Sequence, residues 1–500
     1  MWWQSAVIYQ VYPRSFADAN GDGIGDLEGV RSKLGYLRDL GVDAIWLSPF
    51  FRSPMIDGGY DVSDHRAVDP MFGTLSDLDG LIADARAHGL RVIVDLVPNH
   101  YSTEHPWFVD ALAAGPGSPA RERFHFRPGD GPPNDWQSIF GGPAWTQVPD
   151  GEWYLHLFDS SQPDLNWQNP EVHAEFEAIL RFWLDRGVDG FRVDVAHGLV
   201  KAAGLPDLGT ERTHMFDTSG TPYFDQDGVH EIYRAWRKIL DSYPGDRMAV
   251  AEAWVPSPER VARYVRPDEL HQAFNFDYLT APLRAADLRR VIDASLAACA
   301  TVGAPPTWVL GNHDTVRPVT RYGSLGRARA AALLMLALPG SAYVHQGEEL
   351  GLPEVDLPVE VRRDPALARS GHSRDGCRVP LPWSGAAAPY GFGGAPTWLP
   401  QPDAWAGLSV EAQTGDPEST VELYRAALRI RRSSWADSGA LRWLDPPAPE
   451  VLAFTREPGL VCVANLGSEP MTLDGRPILA SGPLNDDGTL PPDTTAWLAV

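Results

Sequence analysis

Residues 170–197, PEVHAEFEAILRFWLDRGVDGFRVDVAH, read as one helix followed by one strand. Apolar residues fall at helical spacing through 170–187, and the stretch stops at Gly187. DGFRVDVA (189–196) is short and largely apolar, as buried parallel strands are. The same alternation extends outward in both directions. Strands are expected at 6–16, 43–50, 91–98, 189–196, 247–254, 272–279, 307–314 and 341–349. Helices are expected between them at 26–41, 75–89, 170–187, 229–243, 257–265, 288–299 and 326–340. Strand-helix repetition implies a parallel sheet, and eight units imply an α/β (β/α)8 TIM barrel. An open doubly wound sheet is the rival.

Two regions break the rhythm. Residues 101–169 are rich in Gly, Pro, Trp and Asp and too long for an ordinary connection, so they read as a small inserted domain after the third strand. Residues 351–419 are loop-like, and 419–434 form a helix. Beyond it, short runs such as VLAFTRE and LVCVANL predict an all-β C-terminal domain. The expected division is a barrel of 1–100 and 170–420, an inserted domain of 101–169, and a linking helix with a β-sandwich at 421–500.

Composition narrows the class. A chain of 500 residues with 44% hydrophobic content buries a large core. Its formal net charge of -24 repels phosphate backbones and anionic lipid, which argues against nucleic-acid and membrane partners. A neutral sugar is not penalised, and 18 tryptophans offer faces for stacking on sugar rings, although core packing explains most of them. Cys299, Cys377 and Cys462 have no metal spacing and suggest no disulfide framework. With no signal-peptide pattern and no long apolar run, a cytoplasmic location is expected.

Catalytic residues of such barrels lie at the C-terminal ends of strands. The third strand ends in Asp95, Asn99 and His100. The fourth carries Arg192, Asp194 and His197, the fifth ends in Glu252, and the seventh in Asn312, His313 and Asp314. Any one carboxylate could be a turn or cap, but three at one mouth suggest glycoside hydrolysis. That chemistry needs one ionised and one protonated carboxyl group. Arg192 shares a strand face with Asp194 and is expected to keep it ionised, as a nucleophile requires. Glu252 stands in an apolar run, which is expected to raise its pKa as a general acid requires.

The blocks DLVPNH (95–100), GFRVDVAH (190–197), AEAW (251–254) and LGNHD (310–314) resemble the four signature regions of the α-amylase superfamily, glycoside hydrolase family 13. QPDLNWQNP (162–170) resembles a fifth. The resemblance implies Asp194 as nucleophile, Glu252 as acid/base and Asp314 as the third carboxylate, gripping the sugar's 2- and 3-hydroxyls. Arg192, His100 and His313 would line the same sugar subsite. Retention of configuration is implied, with a carboxyl separation near ~5–5.5 Å. GGYDVSDHRAVDPMFG (58–73) resembles the second βα loop of oligosaccharide-cleaving members, with Tyr60 stacking on the terminal sugar and Asp61 bonding its outer hydroxyls. SRDGCRVPLPW (373–383) resembles a stretch of exo-acting α-glucosidases, in which Arg378 would pair with Asp61 and close the pocket.

DANGDGIGD (18–26) sets oxygens on alternate residues: Asp18, Asn20, Asp22, the carbonyl of Ile24, and Asp26. This is the first part of a calcium-loop pattern, but Gly29 stands where an EF-hand needs its bidentate Glu. Many α-glucosidases of the family carry a similar loop, so a structural Ca2+ or Mg2+ is expected, with no organic cofactor.

Val195, after the proposed nucleophile, resembles the oligo-1,6-glucosidases, while Ala196 and His197 are more like actinobacterial α-glucosidases. The expected activity is a retaining, exo-acting α-glucosidase on short α-glucosides, α-1,4 favoured and α-1,6 open. A transglucosylase, sucrose isomerase or trehalose synthase on the same scaffold is the main alternative. A non-catalytic transporter-associated relative or a carbohydrate-binding protein without turnover fits less well, because the catalytic set is complete.

Overall fold

The computed structural model describes residues 1–209, 220–394, 396–434, 440–457 and 459–499. Eight parallel strands form the centre: β1 (Val7–Val11), β2 (Ala44–Leu47), β3 (Arg91–Leu96), β4 (Gly190–Val193), β5 (Met248–Ala251), β6 (Gln272–Ala273), β7 (Thr307–Val309) and β8 (Ser341–His345). Strands β1 to β6 are neighbours in chain order, and β8 lies between β1 and β7. A parallel bridge between Phe274 and Thr307 brings β6 to β7, so the ring closes into a barrel and the open-sheet rival is excluded.

Strand residues alternate between two apolar layers. Ile8, Trp46, Ile93, Val250, Val309 and Tyr343 fill the barrel interior. Tyr9, Ile45, Val92 and Val94 face the surrounding helices. The helix Pro170–Asp185 shows how the outer layer is made. Asn169 caps it by accepting from the Glu171 amide at 2.9 Å, and Pro170 opens the first turn. Phe176, Ile179, Leu180, Trp183 and Leu184 then bury one stripe.

The structure departs from expectation at three elements. The expected helix over 26–41 is two, Leu27–Ser32 and Leu34–Leu40, broken at Lys33. The expected strand 272–279 ends early. Asn275 accepts from the Tyr278 amide at 2.9 Å and starts a short helix, Phe276–Thr280. The C-terminal region is a single five-stranded antiparallel sheet among the described residues, where two facing sheets were expected. The helix Leu325–Ala337 supplies the other layer: Trp497 donates to Leu333 O at 3.2 Å and Thr495 to Ala330 O at 2.9 Å. Between β3 and the helix Pro170–Asp185, the strands Phe126–Pro128, Trp145–Gln147 and Glu152–Leu155 make a three-stranded sheet beside the barrel mouth.

Candidate active site

Register delivers the charged cluster. Arg192 on β4 lies opposite Asp95 on β3 and Val250 on β5. Its guanidinium reaches Asp95 at 2.9 Å, Asp194 at 2.6 Å and Glu252 at 2.8 Å. One buried cation thus joins three carboxylates, two of them the proposed nucleophile and acid. Burial pushes Asp194 up, Arg192 pulls it down, and Glu252 and Asp95 push it up again, with a net rise. Asp95 is likewise pushed up to about 6, mainly by burial. This corrects the expectation that Arg192 alone keeps Asp194 ionised. Three carboxylates over one guanidinium carry excess negative charge, and the cluster tends to hold a proton.

The chain just past Asp194 is strained. Val195 has φ 44, an uncommon conformation for a β-branched residue. In that conformation its amide donates to Glu252 Oε2 at 2.9 Å. The Ala196 amide donates to Glu252 O at 2.8 Å, so the segment after β4 fixes both ends of the acid residue.

Asp314 sits across the mouth. It is met by Arg378 at 2.8 Å, Arg374 at 3.0 Å and His313 at 3.2 Å. Burial acts to raise its pKa, but His313 and the arginines outweigh burial and hold it well below the usual carboxylate range. His313 is wedged between Tyr60, stacked at 5.2 Å, and Tyr12, stacked at 5.9 Å. Burial depresses His313 to about 3 and His100 to about 4, so both are neutral near pH 7.

These groups surround a cavity of roughly 690 Å³ including its mouth. Tyr60, His100, Asp194, Glu252 and Asp314 line it. Arg192 and His313 are not in the lining and lie behind it, holding residues that are. Asp61 and Arg378 are the correction. Asp61 is fully buried and accepts from Ser53 Oγ and the amides of Ile56 and Asp57, which folds its loop. Arg378 turns to His313 O and Asp314. No ion pair joins the two. The pair in the lining is Asp57–Arg374 at 2.7 Å, four residues earlier in each segment. Arg374 also holds Asp364 at 2.7 Å and so ties the loop after β8 to Asp57 and Asp314. Phe140, Phe158, Phe224 and Trp254 also line the cavity, and the Arg374 guanidinium lies over the Phe140 ring at 5.0 Å. Trp254 stacks on Phe276 at 3.7 Å.

The loop 18–26 curls as its glycines suggest. Asp18 accepts from the amides of Gly21, Gly23 and Gly394, and Asp22 from that of Ile24. Asp26 accepts from Ala19, Asn20 and Gly29 and caps the next helix. At Gly23, φ +87, an added Cβ would lie 2.1 Å from Pro396 O. Among the described residues no three His, Cys, Asp or Glu side chains gather to hold a metal. The loop's donor set instead mixes carboxylates with the Asn20 amide oxygen and the Ile24 carbonyl, hard oxygens that suit Ca2+ or Mg2+.

The model of the alpha-amylase catalytic domain matches residues 10–439. The chain belongs to this family. It is therefore a glycoside hydrolase by descent, and its relatives agree. A probable alpha-glucosidase of Rhizobium meliloti is 38% identical, covering 94% of this chain and 90% of the relative. An oligo-1,6-glucosidase of Parageobacillus thermoglucosidasius is 35% identical, covering 86% and 84%. Among solved structures, the alpha-glucosyl transfer enzyme XgtA aligns over 99% of both chains with a TM-score of 0.89 and 36% identity.

Proposed function

We propose that this enzyme is a retaining, exo-acting α-glucosidase that removes single glucosyl units from the non-reducing end of short α-glucosides. The observation that carries this is the Asp57–Arg374 ion pair beside Asp314, which gives the cavity a charged, hydrogen-bonding end bordered by aromatic rings. One glucose would sit against that end, its ring on Tyr60 and its hydroxyls on Asp57, His100, Asp314 and Arg374. Asp194 would attack the anomeric carbon while Glu252 gives its proton to the leaving oxygen. Glu252, then ionised, would take a proton from the water that releases glucose from Asp194. Arg192 supports both steps by contacting both carboxylates. Both α-glucosidase and oligo-1,6-glucosidase relatives support an α-glucosidic bond, with α-1,4 favoured and α-1,6 open. The test is a time course on maltose, isomaltose, sucrose, trehalose, nigerose and kojibiose with products resolved. Glucose released first as the α-anomer, with no internal cleavage of longer oligomers, is expected. Internal cleavage or β-glucose as first product would overturn the proposal.

Transfer is the second possibility, supported by the likeness to the alpha-glucosyl transfer enzyme. Hydrolysis and transfer share the glucosyl-enzyme and differ only in what intercepts it. Loop 18–26 would hold a structural Ca2+ or Mg2+ through Asp18, Asn20, Asp22, the Ile24 carbonyl and Asp26. Cys299, Cys377 and Cys462 are free and buried, which supports a reducing, cytoplasmic setting. No helix among the described residues is long and apolar enough to cross a membrane.

A further inference from the structure

A second cavity of about 210 Å³ lies on the far side of Trp254 from the glucose pocket. Trp254 is the one residue that lines both. Packed interiors leave few such spaces, and an apolar cavity of ~150 Å³ already holds a benzene-sized molecule. The apolar part of its wall includes Val255, Pro258, Val261, Ala273 and Phe276. Among the described residues, the only charged group in the lining is Asp277. Asp277 is exposed at the mouth, and Arg290 acts on it from beyond ion-pair distance. Inner polar groups are engaged within the protein: Asn275 donates to Ser295 Oγ at 2.7 Å, Ser295 to Val291 O at 2.7 Å, and Thr307 accepts from Ser341 Oγ at 3.1 Å. The cavity therefore offers an apolar wall that includes two aromatic side chains, and one carboxylate at its mouth. An apolar molecule with a single positive end matches those features; a sugar, rich in hydroxyls, does not.

We propose that this cavity binds a small aromatic amine, its ammonium group at Asp277 and its ring against Val261 and Phe276. Occupancy is felt at the glucose pocket. Ala253, Trp254 and Val255 all border the cavity and directly follow Glu252. A ligand packed on them shifts the residue that delivers the proton. This kinetic part rests on Glu252 acting as acid/base; binding does not.

The probe is 2-phenylethylammonium, titrated into the whole enzyme by calorimetry with and without saturating glucose. Saturable binding undiminished by glucose is expected. It should weaken at least tenfold in Asp277→Asn and in the cavity-filling Val261→Phe. Thr280→Met, at the exposed rim, provides a second filling variant should Val261→Phe fail to fold. In the wild type alone, the probe should lower kcat at least twofold on p-nitrophenyl α-glucoside without raising KM. Absence of saturable binding, displacement by glucose, or unchanged binding in the variants overturns the site. Binding with kcat unmoved overturns the coupling to Glu252. An inactive Glu252→Gln that still binds the probe separates the two, because the site then stands whatever Glu252 does.

Discussion

At the residue scale, sequence and structure part over a spacing of four. Both site segments offer two residues of the same type, Asp57 and Asp61, and Arg374 and Arg378. Residue type cannot choose between them. The choice is made by loop folding: Asp61 is consumed by Ser53 and two amides, while Asp57 is left to meet Arg374. Asp57→Asn should therefore lower kcat/KM by about 2–5 kcal/mol of transition-state binding, because it leaves Arg374 short of a partner. Asp61→Asn should instead cost about 1–3 kcal/mol of stability and move kcat/KM less. Steady-state kinetics and thermal melts on the pair check this, and the opposite ranking would restore the original assignment. Asp194, Glu252 and Asp314 were legible because strand ends of a barrel face one mouth whatever the loops do. Glu252→Gln should lower kcat by about 10²–10⁴-fold on substrates that need leaving-group protonation, and far less on an activated aryl glucoside. A uniform loss on both substrates would remove Glu252 from the acid role.

At the element scale, strand and helix existence was readable from periodicity, but the ends were not. The short helix after β6 begins with an Asn cap inside an apolar run, where a strand pattern and a capped turn look alike. The single C-terminal sheet was likewise hidden, since its partner layer is a helix about a hundred residues earlier. Two arginines hold that helix in place. Arg431 donates to Leu336 O at 2.6 Å and Leu338 O at 2.9 Å, and Arg456 to Ala337 O at 3.0 Å and Leu338 O at 3.1 Å. They satisfy carbonyls at the end of Leu325–Ala337 and place positive charge at its negative pole. Arg456→Met should destabilise the fold by about 1.5–3 kcal/mol with kcat unchanged, as measured by denaturant unfolding and kinetics. Loop 18–26 gives a second test at this scale. A chelator should lower Tm while leaving the initial rate of still-folded enzyme unchanged. An unmoved Tm removes the metal.

At the scale of the whole molecule, burial of histidine sets an acid limit. His271 accepts from the Ala249 amide at 3.2 Å, and burial holds it at about 3. The unfolded chain takes up its proton near pH ~6.5, and the folded chain only near the lower value. Between the two, the unfolded state binds more protons, so the neutral ring's stabilisation is present above pH ~6.5 and falls with pH. Compared with His271→Gln, the wild type should lose up to about 1.4 kcal/mol more per pH unit across that window. Melts of both proteins at neutral and mildly acid pH measure the difference, and parallel losses would discard the account. Such histidines are invisible in sequence, where a core ring and a ligand read alike.

The bent backbone at Val195 has a practical corollary for anyone re-engineering this enzyme. Its side chain forms part of the pocket wall, and its amide, presented only by that bend, tethers Glu252. On the proposed function, bond preference and turnover would both be read at this one residue. Libraries varied there should return variants in which the two drift together, whereas libraries at Phe140 or Phe224 should let preference move alone.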